Sequence, residues 1–363
     1  MKLQNHLIIL IIITGFSINL FSNGFSFNYI ENENRLVLDA LQPIIADHTV
    51  VNYIRYDAIP EDAINNSKNT LHIAYAHTSH GSQIITGMDA LPAYKEYNNG
   101  TIGLYNWNEG GTDGALDIDD YFVSGDLGNP DRTTWASLTR DYLDEPTNDD
   151  VNVVMWSWCG EVSDATEADI DTYLSLMAAL EEDYPDIQFV YMTGHLDGTG
   201  IEGNLHQRNE QIRDFCNTNN KILFDFADIE SYNPDGTYFG DKYATDNCDY
   251  DANEDGNPWN DGANWALEWQ DDHPGEWYNC DPAHTQALNG NLKAYAAWWL
   301  WARLAGWSDE NITPTPTYTP STPPYTPTAN GMYIGGLVSL SIVMLVAFTV
   351  IASVERRKKF MKK

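Results

Sequence analysis

Three short apolar runs set the limits on what this chain can fold into. Residues 151–158 (VNVVMWSW), 187–193 (IQFVYMT) and 221–226 (KILFDF) carry β-branched and aromatic side chains with little polar interruption. A strand with one wet face alternates apolar and polar residues, whereas an unbroken apolar strand is covered on both faces. Between these runs, residues 165–183 and 204–217 space their apolar side chains three and four apart, the period of a helix with one buried face. Strands alternating with helices need a parallel sheet covered by helices, so the sequence predicts an α/β fold. Residues 71–76 (LHIAYA) form an earlier run of the same kind, and residues 101–107 read as a further strand.

The segment after residues 71–76 carries chemistry. His77, Thr78, Ser79, His80, Gly81 and Ser82 are small or polar and lead into the apolar residues 84–88, which can open a helix. A hydroxyl on a sharp strand-to-helix turn stands at the carboxyl end of the sheet, beside backbone N–H groups able to stabilise an oxyanion. Ser79 is the candidate nucleophile and Ser82 its competitor. Far downstream, Cys280-Asp281-Pro282-Ala283-His284 precedes a helical run at 292–307. Asp281 and His284, three apart on a turn, can pair through Nδ1 and leave Nε2 free to take the serine proton.

With Ser79 early and D-x-x-H late, the chain resembles the SGNH hydrolase superfamily, the GDSL-type esterases and lipases, over about residues 71–307. The resemblance implies a flavodoxin-like three-layer α/β/α sandwich with a parallel sheet. It also implies a serine esterase whose catalytic residues are Ser79, Asp281 and His284. The usual Gly-Asp-Ser is His77-Thr78-Ser79 here, a divergent H-x-S-x-G turn. A family glycine in the oxyanion hole maps onto Gly111, with Gly110 as its neighbour. The family's asparagine after the following strand is missing; Cys159 takes the matching position, and a thiol is a poor donor. Asn204 or Asn209 is the candidate substitute. His80 and His195 are candidate substrate contacts on the same rim. Alternatively His77, His80, His195 and Asp197 bind a metal, although their spacing lacks the tight helical pattern of zinc ligands.

Residues 1–24 read as a signal peptide, 25–308 as the hydrolase domain and 309–330 as a Thr/Pro-rich stalk. Residues 331–354 are long enough for a single transmembrane helix, and the basic tail 355–363 belongs on the cytoplasmic side. The expected location is therefore the cell membrane, with the catalytic domain outside. Asn65, Asn99 and Asn311 begin N-glycosylation triplets. A formal net charge of −34 argues against nucleic acid as a partner. The expected partner is an ester substrate, of carbohydrate type if Trp259, Trp265, Trp269 and Trp277 stack on sugar faces rather than fill the core. A non-catalytic glycan-binding module on the same fold is the alternative.

Catalysis of this kind requires no cofactor. Asp251, Asn253 and Asp255, followed by Gly256, alternate oxygen ligands as the first half of a calcium loop does, with Gly262 where a closing glutamate would stand. Structural calcium and a plain solvated loop both fit that pattern. Cys248 and Cys280 bracket the segment and are a candidate disulfide; Cys159 and Cys216 read as free thiols.

Overall fold

The computed structural model describes residues 42–308. The signal peptide, stalk, membrane helix and basic tail expected from the sequence lie outside the described residues.

Seven strands form one all-parallel sheet: β1 (Ile44–Ala46), β2 (His72–Ala76), β3 (Trp107–Asn108), β4 (Leu116–Asp120), β5 (Val153–Trp156), β6 (Gln188–Met192) and β7 (Ile222–Phe224). Their order across the sheet is β1-β7-β6-β5-β2-β4-β3. The nine α-helices among the described residues are α1 (Val51–Arg55), α2 (Glu61–Thr70), α3 (Ser82–Tyr97), α4 (Thr134–Leu143), α5 (Glu167–Asp183), α6 (Asn204–Thr218), α7 (Phe226–Glu230), α8 (Trp265–Asp272) and α9 (Ala287–Leu304). Helices α1, α2 and α3 pack with α9, whereas α4 and α6 pack with α5. These two helical groups cover the sheet in a three-layer α/β arrangement. Crossovers stepping from β5 to β7 use α5 and α6, and those stepping the other way use α1 to α3, as right-handed connections require.

The predicted strands at 71–76, 151–158, 187–193 and 221–226 all form, shortened at their ends. All four residues of β5 are buried, which is why that run shows no polar alternation. Helix α5 starts in a capping box: Thr166 accepts from the Asp169 N–H while the Asp169 carboxylate accepts from the Thr166 N–H. Helix α9 is apolar on nearly every side because it is buried on nearly every side, with Trp298 and Trp301 almost inaccessible. It crosses α3 so closely that a Cβ at Gly87 would lie 2.1 Å from the carbonyl oxygen of Gly290. Among the described residues no helix is long and apolar enough to cross a membrane.

Two departures matter for the site. The strand expected at 101–107 shrinks to Trp107–Asn108, and β4, with sequence LDIDD, was not expected at all. Its aspartates, which make the segment read as a loop, are engaged instead: Asp119 and Asp120 bind the imidazoles of His72 and His77.

Candidate active site

The connection leaving β2 steps towards β3 and the one leaving its neighbour β5 steps towards β6, opposite directions along the sheet, so a crevice opens between the carboxyl ends of β2 and β5. The loop after β2 presses against the end of β5 there. A Cβ on Gly81 would lie 2.4 Å from Cβ of His77 and 2.6 Å from Cβ of Ser157, so only glycine allows the two segments to meet. The contact brings Cys159, just beyond β5, against Ser79 and His80. The first helical bond of the turn runs from the Ser82 N–H to the Thr78 carbonyl. The N–H groups of Ser79, His80 and Gly81 therefore precede the helical ladder that opens α3.

His80 is the centre of the cluster. Its Nδ1 lies 3.2 Å from Sγ of Cys159, and its Nε2 lies 3.0 Å from Oδ2 of Asp246. An ionised carboxylate only accepts, so the His80 Nε2–H donates to Asp246 and Nδ1 is left as a lone-pair acceptor facing the thiol. The Ser79 hydroxyl stands 3.7 Å from the same sulfur. The His80 ring is stacked on His195 at 3.7 Å with planes 1° apart, and on His284 at 4.4 Å and 15°. Two rings stacked this closely on one imidazole occupy its opposite faces. Burial lowers the His80 pKa from its ordinary value; His195 acts in the same sense, and Asp246 opposes both. Burial raises the carboxyl of Asp246, but the His80 hydrogen bond and the nearby imidazoles outweigh it and hold the group below its usual range.

The residues singled out from the sequence divide in this geometry. Ser79, Cys159, His80, His195 and His284 converge on the crevice. Asp281 does not: it is exposed, and among the described residues no hydrogen bond or ion pair joins it to His284. His284 has a φ of 65°, a left-handed conformation that turns its ring onto His80 rather than back towards Asp281. Ser82 donates to the Ser79 carbonyl at 2.7 Å and so braces the turn.

Gly111 is corrected. Its neighbour Gly110 donates to Asp117, which pairs in register with His72 at the start of β2. Gly111 therefore lies at the level where the strands begin, while Ser79 lies beyond their carboxyl ends, and it cannot reach the oxyanion. The cause is the unforeseen β4: the segment that follows that strand, with Asp126 accepting from the Thr78 hydroxyl at 2.6 Å, is the one beside the turn. Asn204 is also removed from the site, because its amide donates to the carbonyls of Ser163 and Ala165. Asn209 is spent on both backbone polar groups of Gly194.

All four cysteines are free thiols. The expected Cys248–Cys280 disulfide is absent because the two point to different partners. Cys248 lies 3.5 Å from the Thr285 hydroxyl, and Cys280 donates to the Ala287 carbonyl at 3.5 Å. Burial pushes both thiols up to about 12, and it raises Cys216 as well. Trp265 and Trp269 are core, Trp277 is half-buried, and Trp259 is 65 % exposed.

A metal fits the cluster poorly. Ligand atoms of His80, Asp246 and His284 lie within 4.8 Å of one another. A metal bound through an imidazole nitrogen sits near the ring plane, about 2.0–2.1 Å away for zinc. Rings stacked nearly face to face, as His80 is with His195 and with His284, cannot both hold one ion in their planes. His77 is elsewhere, with its Nε2 2.8 Å from Asp120. In the candidate calcium loop, Asp251 accepts from the N–H groups of Asp255 and Gly256, and Asn253 from that of Asp255. Asp261, one place before Gly262, closes the loop on the N–H groups of Ala252 and Asn253.

Sequence reasoning missed Asp246, which lies 166 residues from His80 and has no local motif. Comparison with family models, with curated proteins and with solved structures finds no match to this chain.

Proposed function

We propose that this protein is an ester hydrolase working through a thiol nucleophile, with Cys159 attacking, His80 moving the proton and Asp246 orienting His80. The observation that carries the reading is the bridging His80 imidazole, one nitrogen on the Cys159 sulfur and the other on the Asp246 carboxylate. In the first half-reaction Nδ1 of His80 takes the thiol proton as Sγ bonds to the ester carbonyl carbon. The tetrahedral oxyanion is met by the Ser79 hydroxyl and the N–H groups opening α3. The C–O bond then breaks, and the alcohol leaves with the proton from His80. A water attacks the thioester, giving its proton to Nδ1, and the acid departs as the thiol is restored.

This reading keeps the esterase class, and with it the SGNH resemblance and its flavodoxin-like sandwich, but moves the machinery from Ser79, Asp281 and His284. The strand order β7-β6-β5-β2-β4 supports the flavodoxin-like part. We place the domain outside the cell, held by the stalk and the membrane helix.

Iodoacetamide should label Cys159 selectively and stop turnover of a 4-nitrophenyl ester, because burial suppresses the other three thiols. Labelling at Cys159 no faster than at an ordinary thiol, with a serine-directed fluorophosphonate reacting at Ser79 instead, overturns the assignment. A second reading, glycan binding without catalysis, has one observation in its favour. The exposed indole of Trp259 rests on Gly198, whose added Cβ would lie 2.7 Å from the ring, three residues from His195. Absence of turnover with retained binding to immobilised polysaccharide would select it.

Calcium is our proposal for the loop carrying Asp251, Asn253 and Asp255, whose oxygen-bearing side chains alternate along one turn and accept its own N–H groups. Melting temperature should rise with added calcium and fall on chelation, since a ligand of the folded state stabilises by mass action. An unchanged melting temperature removes calcium from the account.

A further inference from the structure

Beneath the three stacked histidines lies a buried ion pair that takes no part in the reaction above. Lys293 of α9 and Glu230, the last residue of α7, are both 0 % exposed, and Nζ lies 2.6 Å from Oε1. Nζ also donates to the Gln83 side-chain oxygen on α3 and sits 3.9 Å from the centre of the Phe226 ring.

Both partners of the ammonium group reach on to the crevice. Glu230 accepts the N–H of Leu196 at 2.8 Å through its second oxygen. The Leu196 carbonyl in turn accepts from the Asp246 N–H at 3.1 Å and from Nδ1 of His195 at 2.8 Å. On the other side, the Gln83 side chain donates to the carbonyl of Ala283 at 2.6 Å, immediately before His284. The N–H of Gln83 donates to the carbonyl of His80 at 3.1 Å. His80, His195, His284 and Asp246 are thus all tied through short hydrogen-bond paths to one ammonium group.

A buried ion pair is weak evidence for stability, because the desolvation of both charges offsets their attraction. A left-handed backbone at His284 persists only where surroundings hold it. We propose that Lys293 is a positioning residue, with Glu230 and Gln83 as its arms, that holds the histidine stack and Asp246 in register for the reaction. The proposal rests on the thiol-hydrolase reading. It assigns the ion pair to geometry at the crevice rather than to the stability of the fold.

The test uses the full chain with one paired substitution and one conservative one. Lys293→Met with Glu230→Met replaces the ion pair by apolar volume and leaves the Leu196 N–H without its acceptor. Lys293→Arg keeps a cation that can donate to both arms. The pair, shown to be folded by circular dichroism, should lose roughly 10- to 100-fold in kcat, the scale of a misplaced reacting group, with KM little changed. Iodoacetamide labelling of Cys159 should slow in parallel, and Lys293→Arg should retain most of both. A folded pair with wild-type kcat and labelling overturns the proposal. If that pair does not fold, Gln83→Met severs the other arm, and wild-type kcat in that variant overturns it equally. A wild-type chain with neither turnover nor selective labelling of Cys159 is a different result: it sinks the hydrolase reading and takes this proposal with it.

Discussion

Cys159→Ala should remove ester turnover by roughly a millionfold, the scale seen when the nucleophile of a comparable triad is deleted. Ser79→Ala should cost far less, about 10²–10³-fold, the loss expected for one donor to the oxyanion. The asymmetry follows from which atom the base addresses. Nδ1 of His80 is 3.2 Å from the sulfur, while the Ser79 hydroxyl reaches the cluster only through a 3.7 Å contact with that same sulfur. His284→Ala, as damaging as loss of the nucleophile under the family pattern, should cost no more than Ser79→Ala, because its ring stacks on His80 rather than serving a nucleophile. Steady-state rates on a 4-nitrophenyl ester decide. Should Ser79→Ala abolish turnover while Cys159→Ala retains it, the serine is the nucleophile and the base must be sought again.

How far these residues could be read beforehand depends on whether their signal is local. The strands β2, β5, β6 and β7 are legible because burial on both faces demands an unbroken apolar run. The turn at Ser79 and the neighbouring His80 follow from that strand pattern, and Cys159 enters through the resemblance, as the residue in the place of the family's asparagine. Strand β4 is illegible for the opposite reason. Its aspartates are satisfied by partners distant in sequence, His72 and Tyr142 for Asp119 and His77 for Asp120, and no local pattern records such pairings. Missing that strand is what moved the oxyanion glycine to Gly111, at the wrong end of the sheet. The D-x-x-H pair failed on a backbone detail, since spacing alone cannot reveal that His284 is left-handed. Asp246 sits in the long connection between α7 and α8, where the sequence shows no extended helical or strand period, so only tertiary structure brings it to His80.

Asp246→Asn should lower turnover by about 10⁴-fold while leaving the shape of the crevice intact, and its pH profile separates orientation from simple loss of charge. In the wild type the rate should fall as pH drops, because protonated His80 cannot accept the thiol proton. Burial lowers the His80 pKa, so the fall should be centred below 6.5, with a plateau reached by neutrality. The Asp246 carboxylate opposes that depression by binding the Nε2–H. An amide weakens that opposition, so in the variant the acid limb should move to lower pH as the plateau falls. The plateau falls because the Asn amide can donate to Nε2, which places the proton on Nδ1, where it faces the sulfur and blocks the transfer. The same ring gives a stability signature of matching sign. The unfolded chain binds a proton at His80 near pH 6.5 while the folded chain resists it, so stability should decline as pH falls below 6.5. Asp246 acts lower, since its folded value lies below 3.8 and its contribution is lost only as pH falls through that value. Rates of the variant within tenfold of wild type, with an unmoved acid limb, would show that Asp246 neither fixes the His80 tautomer nor belongs to the reaction.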